Sequence, residues 1–150
     1  KEILENSKKY NCNIVCPVDV VVSKNIESNG KNKDINEIND DEMILDIGPK
    51  TISSIKKIIS DTNTVLWNGP AGYFENPNFQ NGTKQILEII SQKSKNDKMF
   101  SVAGGGETVA AINKFNKLNS FTFVSTAGGA FLEYLEGKTL PGIKALNQNV

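Results

Sequence analysis

Three apolar runs from Thr64 onward each end in a glycine-rich turn, and this repetition constrains the fold more than any other feature. The runs are Thr64 to Trp67, Met99 to Ala103 and Phe121 to Ser125. The turns are Asn68-Gly69-Pro70-Ala71-Gly72, Gly104-Gly105-Gly106-Glu107-Thr108 and Thr126-Ala127-Gly128-Gly129-Ala130. Helical spacing of apolar residues follows each: Gly82-Thr83 opens a helix carrying Ile86, Leu87, Ile89 and Ile90, a short helix covers Glu107 to Phe115, and another covers Ala130 to Leu135 and stops at Gly137. Strand, turn and helix in repeated order imply right-handed crossovers. The expected class is α/β, three-layered, with a mostly parallel sheet and helices on both faces, and the apolar strands fit burial on both sides.

The stretch before Thr64 is less regular. Residues 1–10 read as helix, so the chain is expected to open in the middle of a fold. Residues 13–22, Asn-Ile-Val-Cys-Pro-Val-Asp-Val-Val-Val, read as a buried strand with Pro17 at an edge or bulge. Residues 23–40 are polar without apolar period and read as an exposed loop. Met43 to Ile47 is a strand ending at Gly48-Pro49, and Thr51 to Ser60 places Ile52, Ile55, Ile58 and Ile59 at helical spacing. From Leu140-Pro141-Gly142 onward the tail reads as extended or irregular, with a last turn near Ala145-Leu146.

A length of 150 residues fits one domain. Seventeen basic residues balance seventeen acidic ones, which argues against a nucleic-acid partner read through bulk charge while leaving room for a local phosphate pocket. No apolar run is long enough to span a bilayer, so no membrane partner is expected. Cys12 and Cys16 are the only cysteines and there is no histidine, so no tetrahedral metal site and no Ser-His or Cys-His nucleophile can be assembled. The cysteines read as free thiols in or beside a buried strand, and the expected compartment is the reducing cytoplasm.

Parallel strands would bring all three glycine turns to one edge, outside the carboxyl ends of the strands, where ligands bind in open α/β sheets. Two of the turns lead straight into helices, whose first amides and positive dipole end suit phosphate. Turn geometry alone also demands glycine; three such turns on one edge favour phosphate binding. Polar residues there are few. Asn68 follows Trp67 and can reach a ligand. Glu75 can take two ribose hydroxyls or be an exposed loop acid. Glu107 can be a favourable first-turn acid or hold Mg²⁺ through nucleotide phosphates. Thr108 can cap the helix or donate to phosphate. Asp19, inside an apolar strand, reads as a satisfied core carboxylate. Trp67, Phe74, Phe79 and Phe131 read as packing groups. Gly137-Lys138-Thr139 imitates the end of a P-loop, but Leu132 stands where the first glycine belongs. Gly104-x-Gly106 lacks the third glycine of the dinucleotide fingerprint, with Val109 in its place, which argues against a dehydrogenase.

Taken in order, Leu45-Asp46-Ile47-Gly48-Pro49, Leu66-Trp67-Asn68-Gly69-Pro70-Ala71-Gly72-Tyr73-Phe74-Glu75, Gly104-Gly105-Gly106-Glu107-Thr108, Ser125-Thr126-Ala127-Gly128-Gly129-Ala130 and Leu135-Glu136-Gly137-Lys138-Thr139-Leu140-Pro141-Gly142 resemble phosphoglycerate kinase. The resemblance implies a Rossmann-like sheet, incomplete relative to the family domain, with residues 1–150 the carboxy-terminal portion of the nucleotide-binding domain. It implies reversible phosphoryl transfer between 1,3-bisphosphoglycerate and ADP, giving 3-phosphoglycerate and ATP, with Mg²⁺. By resemblance, Leu45, Pro70 and Tyr73 line an adenine slot, Asn68 approaches the phosphates and Glu75 the ribose. Gly104, Gly105, Gly106 and Thr108 hold phosphate oxygens and Glu107 holds the metal. Gly105, Gly128 and Gly129 serve the transferring phosphoryl group, the last two through backbone amides. The family has Asp where Glu107 stands and glycine where Ala127 stands. Its amino-terminal domain, which binds the phosphoglycerate, and the lysines and glycine turn of the first part of its nucleotide domain have no counterpart in these residues. The chain alone is therefore expected to be inactive as a kinase. The parent is expected to be a monomer, and the isolated piece, with an exposed sheet edge, to self-associate. Two other readings stay open from sequence: a module that binds Mg-nucleotide weakly, and an inactive structural or interaction body.

Overall fold

The structure, a computed structural model, describes residues 1–96 and 99–147. Its elements run α1 (Glu2–Lys9), β1 (Asp19–Ser23), β2 (Lys31–Asp34), β3 (Met43–Ile47), α2 (Pro49–Asp61), β4 (Thr64–Trp67), α3 (Asn81–Lys95), β5 (Phe100–Ala103), α4 (Gly106–Lys114), β6 (Phe123–Val124), α5 (Gly129–Leu135) and α6 (Pro141–Asn147). The α/β class holds, and the strands form two sheets. In the second, β4-β5-β6 are parallel, with Leu66 opposite Val102 and Val102 opposite Phe123. In the first, β1 lies between β2 and β3 and is antiparallel to both.

The first sheet corrects three expectations. Strand structure begins only at Asp19, because β2 and β3 supply partners as far as Asp34 and Ile47, opposite Asp19 and Val20, and no further. Without a partner the β-branched run before it stays out of the sheet: Ile14, Val15 and Val18 are exposed, and so are Cys12 and Cys16, both free thiols. The polar stretch 23–40 is not all loop. Lys31-Asn32-Lys33-Asp34 forms an edge strand whose pairing rests on backbone groups, which need no apolar pattern. At the other end of the chain, Pro141 opens a helix instead of an irregular tail; proline suits a first helical turn because the N–H it lacks is unpaired there anyway.

Three helices stop in the same way. After α1, α4 and α5 the residues Asn11, Asn116 and Gly137 take positive φ, and the following amides bond back to Ser7, Ile112 and Glu133. Helix α3 secures the end of α2 through Lys93, whose Nζ donates to the carbonyls of Ile59, Ser60 and Thr62 at 2.9, 2.7 and 2.7 Å. The core lies between α2, α3 and α4 and one face of the parallel sheet, where Ile52, Trp67, Leu87, Ile90, Ala103 and Ile112 are buried together. Trp67 stacks on Phe121. The opposite face of that sheet is open: Leu66, Phe100 and Phe123 are each about half exposed (50%, 52% and 54%). Burial on both sides therefore does not hold within this chain.

Asp19 is the satisfied core carboxylate its setting suggests. From the start of β1 it caps α2, accepting from the amides of Lys50 (2.9 Å) and Thr51 (2.7 Å) and from Thr51 Oγ1 (2.7 Å). Asp46, at the end of β3, does the same for α3: Oδ2 accepts from the Gly82 amide and Oδ1 from that of Ile47, both at 2.8 Å.

Candidate functional site

The loop after β4 is fixed along its length, so it can present side chains in defined places. Near its start, the Gly69 amide donates to Thr108 Oγ1 at 2.6 Å. The amides of Ala71 and Gly72 reach Thr83 Oγ1, fully buried on α3, at 3.0 and 3.4 Å. Tyr73 donates its amide to the Leu45 carbonyl at 2.8 Å, which joins the loop to β3. Glycine at position 72 lets the loop lie against Asp46 and the Phe79 carbonyl, where a Cβ would come within 2.6 Å of Asp46 Cγ and of the Phe79 oxygen.

This anchoring makes one wall of an open apolar cavity of about 540 Å³, lined by Leu45, Ile44 and Ile47 from β3, by Val20 and Ile35, and by Pro70, Ala71 and Tyr73 from the loop. Leu45, Pro70 and Tyr73, from β3 and from the loop, thus share one concave, mostly apolar surface. Asp46, a buried residue, also borders it. Burial pushes the Asp46 carboxyl up, more than the amides of Gly82, Ile47 and Asn81 pull it down.

A polar edge adjoins the cavity through the same loop. Asn68 is exposed, and its Oδ1 stands where a Cβ on Gly105 would sit, 2.5 Å from that position. Gly105 has φ of +92°, a conformation that side chains rarely adopt, so both its backbone and its surroundings demand glycine. Gly104 packs against the Phe131 ring, which brings α5 and its leading Gly128 and Gly129 beside the triplet. Gly106, Gly128 and Gly129 have open space around them. Glu107, in the first turn of α4, is exposed; Thr108 is buried, and its Oγ1 accepts from the Gly69 amide. Glu75 is exposed at the far end of the loop. Trp67, Phe74 and Phe79 are core residues.

The residues singled out from sequence therefore fall into an apolar slot (Leu45, Pro70, Tyr73), a glycine edge (Asn68, Gly104–Thr108, with Gly128 and Gly129 beside it) and the separate carboxylate of Glu75. Thr83 and Lys114 hold the loop, through the Ala71 and Gly72 amides and the Phe74 and Glu75 carbonyls, and have no signal in sequence beyond a polar residue next to a glycine or at a helix end. Among the described residues no group of three or more acidic or cysteine side chains gathers into a metal cage, and no helix is long and apolar enough to cross a membrane.

The chain is thus an α/β body in which glycine turns follow the carboxyl ends of parallel strands and adjoin an apolar slot. The phosphoglycerate kinase family pattern matches residues 1–138, and the chain belongs to that family. Phosphoglycerate kinases of Xanthobacter autotrophicus and Francisella philomiragia are 46% and 47% identical to it over 150 residues, 99% of this chain. The chain spans 38% and 37% of those relatives' length. The phosphoglycerate kinase of Coxiella burnetii superposes with a TM-score of 0.87 at 38% identity, over 95% of this chain and 36% of that one. The Pyrococcus horikoshii enzyme gives 0.78 at 31% identity, over 95% and 35%.

Proposed function

We propose that these residues are the carboxy-terminal portion of the nucleotide-binding domain of a phosphoglycerate kinase, and that they hold Mg-ADP or Mg-ATP during phosphoryl transfer to and from the phosphoglycerate. The observation that carries this reading is the adjacency of an apolar slot and a glycine edge along one anchored loop. Leu45, Pro70 and Tyr73 take the adenine. Asn68, Gly104, Gly105, Gly106 and Thr108 take phosphate oxygens, and Glu75 takes the ribose. The amides of Gly128 and Gly129, with Gly105, face the transferring phosphoryl group.

The residues fit a magnesium ion held through the nucleotide. Glu107 is one exposed carboxylate, in no ion pair among the described residues, beside the open backbone of Gly106. Mg²⁺ is ordinarily bound by one or two carboxylates together with phosphate oxygens rather than by a protein cage. Bound there, the ion neutralises phosphate charge. The chain's own contribution is positioning and donor amides, which is most of what a loose, charge-dispersed phosphoryl transfer requires.

Calorimetric titration with Mg-ADP tests the reading. Saturable binding supports it, and no binding by a folded chain refutes it for this piece. The phosphoglycerate is assigned to the amino-terminal domain of the whole enzyme, so no turnover is expected from this chain in a coupled assay; turnover near that of ordinary enzymes would overturn that assignment. With Leu66, Phe100 and Phe123 bare on one sheet face, the chain alone is also expected to self-associate. Light scattering should give a mass above the 16.4 kDa of one chain, and a clean monomer would count against it.

A further inference from the structure

Lys114, the last residue of α4, is far in sequence from the loop after β4 yet touches its end. Its Nζ donates to the carbonyls of Phe74 at 2.5 Å and Glu75 at 3.2 Å. The same ammonium lies over the rings of Phe74 and Phe115, at 5.9 and 5.8 Å from their centroids. A lysine ammonium has three donors, and two are spent on adjacent backbone oxygens. At its other end, the same helix holds the start of the loop through Thr108 Oγ1 and the Gly69 amide. The six-residue step from Thr108 to Lys114 spans about 9 Å of helix. One rigid element thus sets both the glycine triplet, from which it springs, and the backbone of Glu75. The Glu75 side chain forms no ion pair among the described residues and is left exposed.

We propose that Lys114 is a positioning residue for the ribose side of the nucleotide site: by bridging the Phe74 and Glu75 carbonyls it fixes the distance of the Glu75 carboxylate from the phosphate turn. This rests on the nucleotide reading above. Lys114 does not touch the nucleotide in this role. Its effect is confined to ligands that carry ribose hydroxyls, whereas a residue that merely supports the fold would affect every ligand.

The test compares wild type, Lys114→Met and Lys114→Arg by calorimetry with Mg-ADP, Mg-2′,3′-dideoxy-ADP and Mg-tripolyphosphate. Lys114→Met keeps the apolar stem and removes the donors. It is expected to weaken Mg-ADP by about tenfold, because Glu75 is no longer held in place before the ligand binds. Dideoxy-ADP and tripolyphosphate should bind as to wild type, and Lys114→Arg should recover most of the lost affinity because a guanidinium can bridge two carbonyls. Equal weakening of all three ligands, or of none, overturns the proposal. Amide exchange without ligand separates this from the nucleotide reading. The Asn76 amide, bonded to the Tyr73 carbonyl within the turn, should exchange faster in Lys114→Met while the α3 amides do not change. Unchanged Asn76 exchange refutes the bridge. Absence of Mg-ADP binding in wild type, with faster Asn76 exchange in the variant, refutes the nucleotide reading and the ribose role while leaving the bridge.

Discussion

Gly72→Ala is expected to destabilise the chain by about 3 kcal/mol, a large loss for the addition of one methyl group. Gly72 does not have positive φ, so alanine meets no conformational penalty there. The cost is one of space. The new Cβ would lie 2.6 Å from both Asp46 Cγ and the Phe79 carbonyl oxygen, and the latter is backbone that cannot swing aside. Asp46 cannot yield without releasing the Gly82 and Ile47 amides, which would then be buried without partners. Denaturant unfolding should show a lower midpoint with unchanged slope. If Asp46 is what resists, Gly72→Ala and Asp46→Ala will not add, and the double variant should be more stable than the sum predicts by about 1 kcal/mol or more. Strict additivity would mean that the Phe79 carbonyl alone bears the clash. The same substitution displaces Pro70 to Tyr73 and so reshapes the apolar slot, which links this core contact to the proposed function.

Asp19→Ala is expected to cost about 2–3 kcal/mol at neutral pH, because two helix-start amides and the Thr51 hydroxyl lose a buried charged acceptor. Its pH dependence is the more specific part. Burial pushes the Asp19 carboxyl up, but the Thr51 hydroxyl, the amides of Lys50 and Thr51 and the Lys50 charge together hold it below the usual carboxylate range. A group whose folded value is depressed contributes stability above its unfolded value, about 3.9 for Asp, and loses it as pH falls through the folded value. The gap between Asp19→Ala and wild type should therefore narrow as the solution is taken from neutral to strongly acid. Asp46 carries the opposite sign. Its folded value is raised, so its contribution is complete at low pH and is lost as pH rises through that value. Asp46→Asn should compare more favourably with wild type at neutral pH than in acid. Parallel stability–pH curves for Asp19→Ala and wild type would contradict this account of Asp19.

The parts of this fold that could be read from sequence are those where a local pattern and a tertiary requirement coincide. The runs ending at Trp67, Ala103 and Ser125 combine β-propensity with glycine turns, and the structure pairs them as parallel strands. Helices α2 and α3 follow their isoleucine spacing. The antiparallel sheet was not legible, because β2 is polar and its pairing depends on β1 across a turn. Residues 13–18 misled for the converse reason: β-branched residues favour a strand only where a partner exists. Of the candidate site, the glycine turns were legible as glycine clusters at the ends of apolar runs, and at Gly105 both backbone and surroundings require the glycine. Leu45, Pro70 and Tyr73 came from family resemblance, and their shared cavity needed the antiparallel sheet that places β3 beside the loop. Lys114 and Thr83 act on backbone atoms, which no side-chain motif records.

The most direct test of the central claim is titration of the folded chain with Mg-ADP beside Glu75→Ala and Glu107→Ala, with each measured in Mg²⁺ and in chelator. The account predicts saturable binding by wild type that both substitutions weaken. Glu75→Ala should keep its Mg²⁺ dependence, and Glu107→Ala should lose most of it. Undiminished Mg-ADP binding by both variants, or none by a well-folded wild-type chain, would contradict the claim that this edge holds a nucleotide.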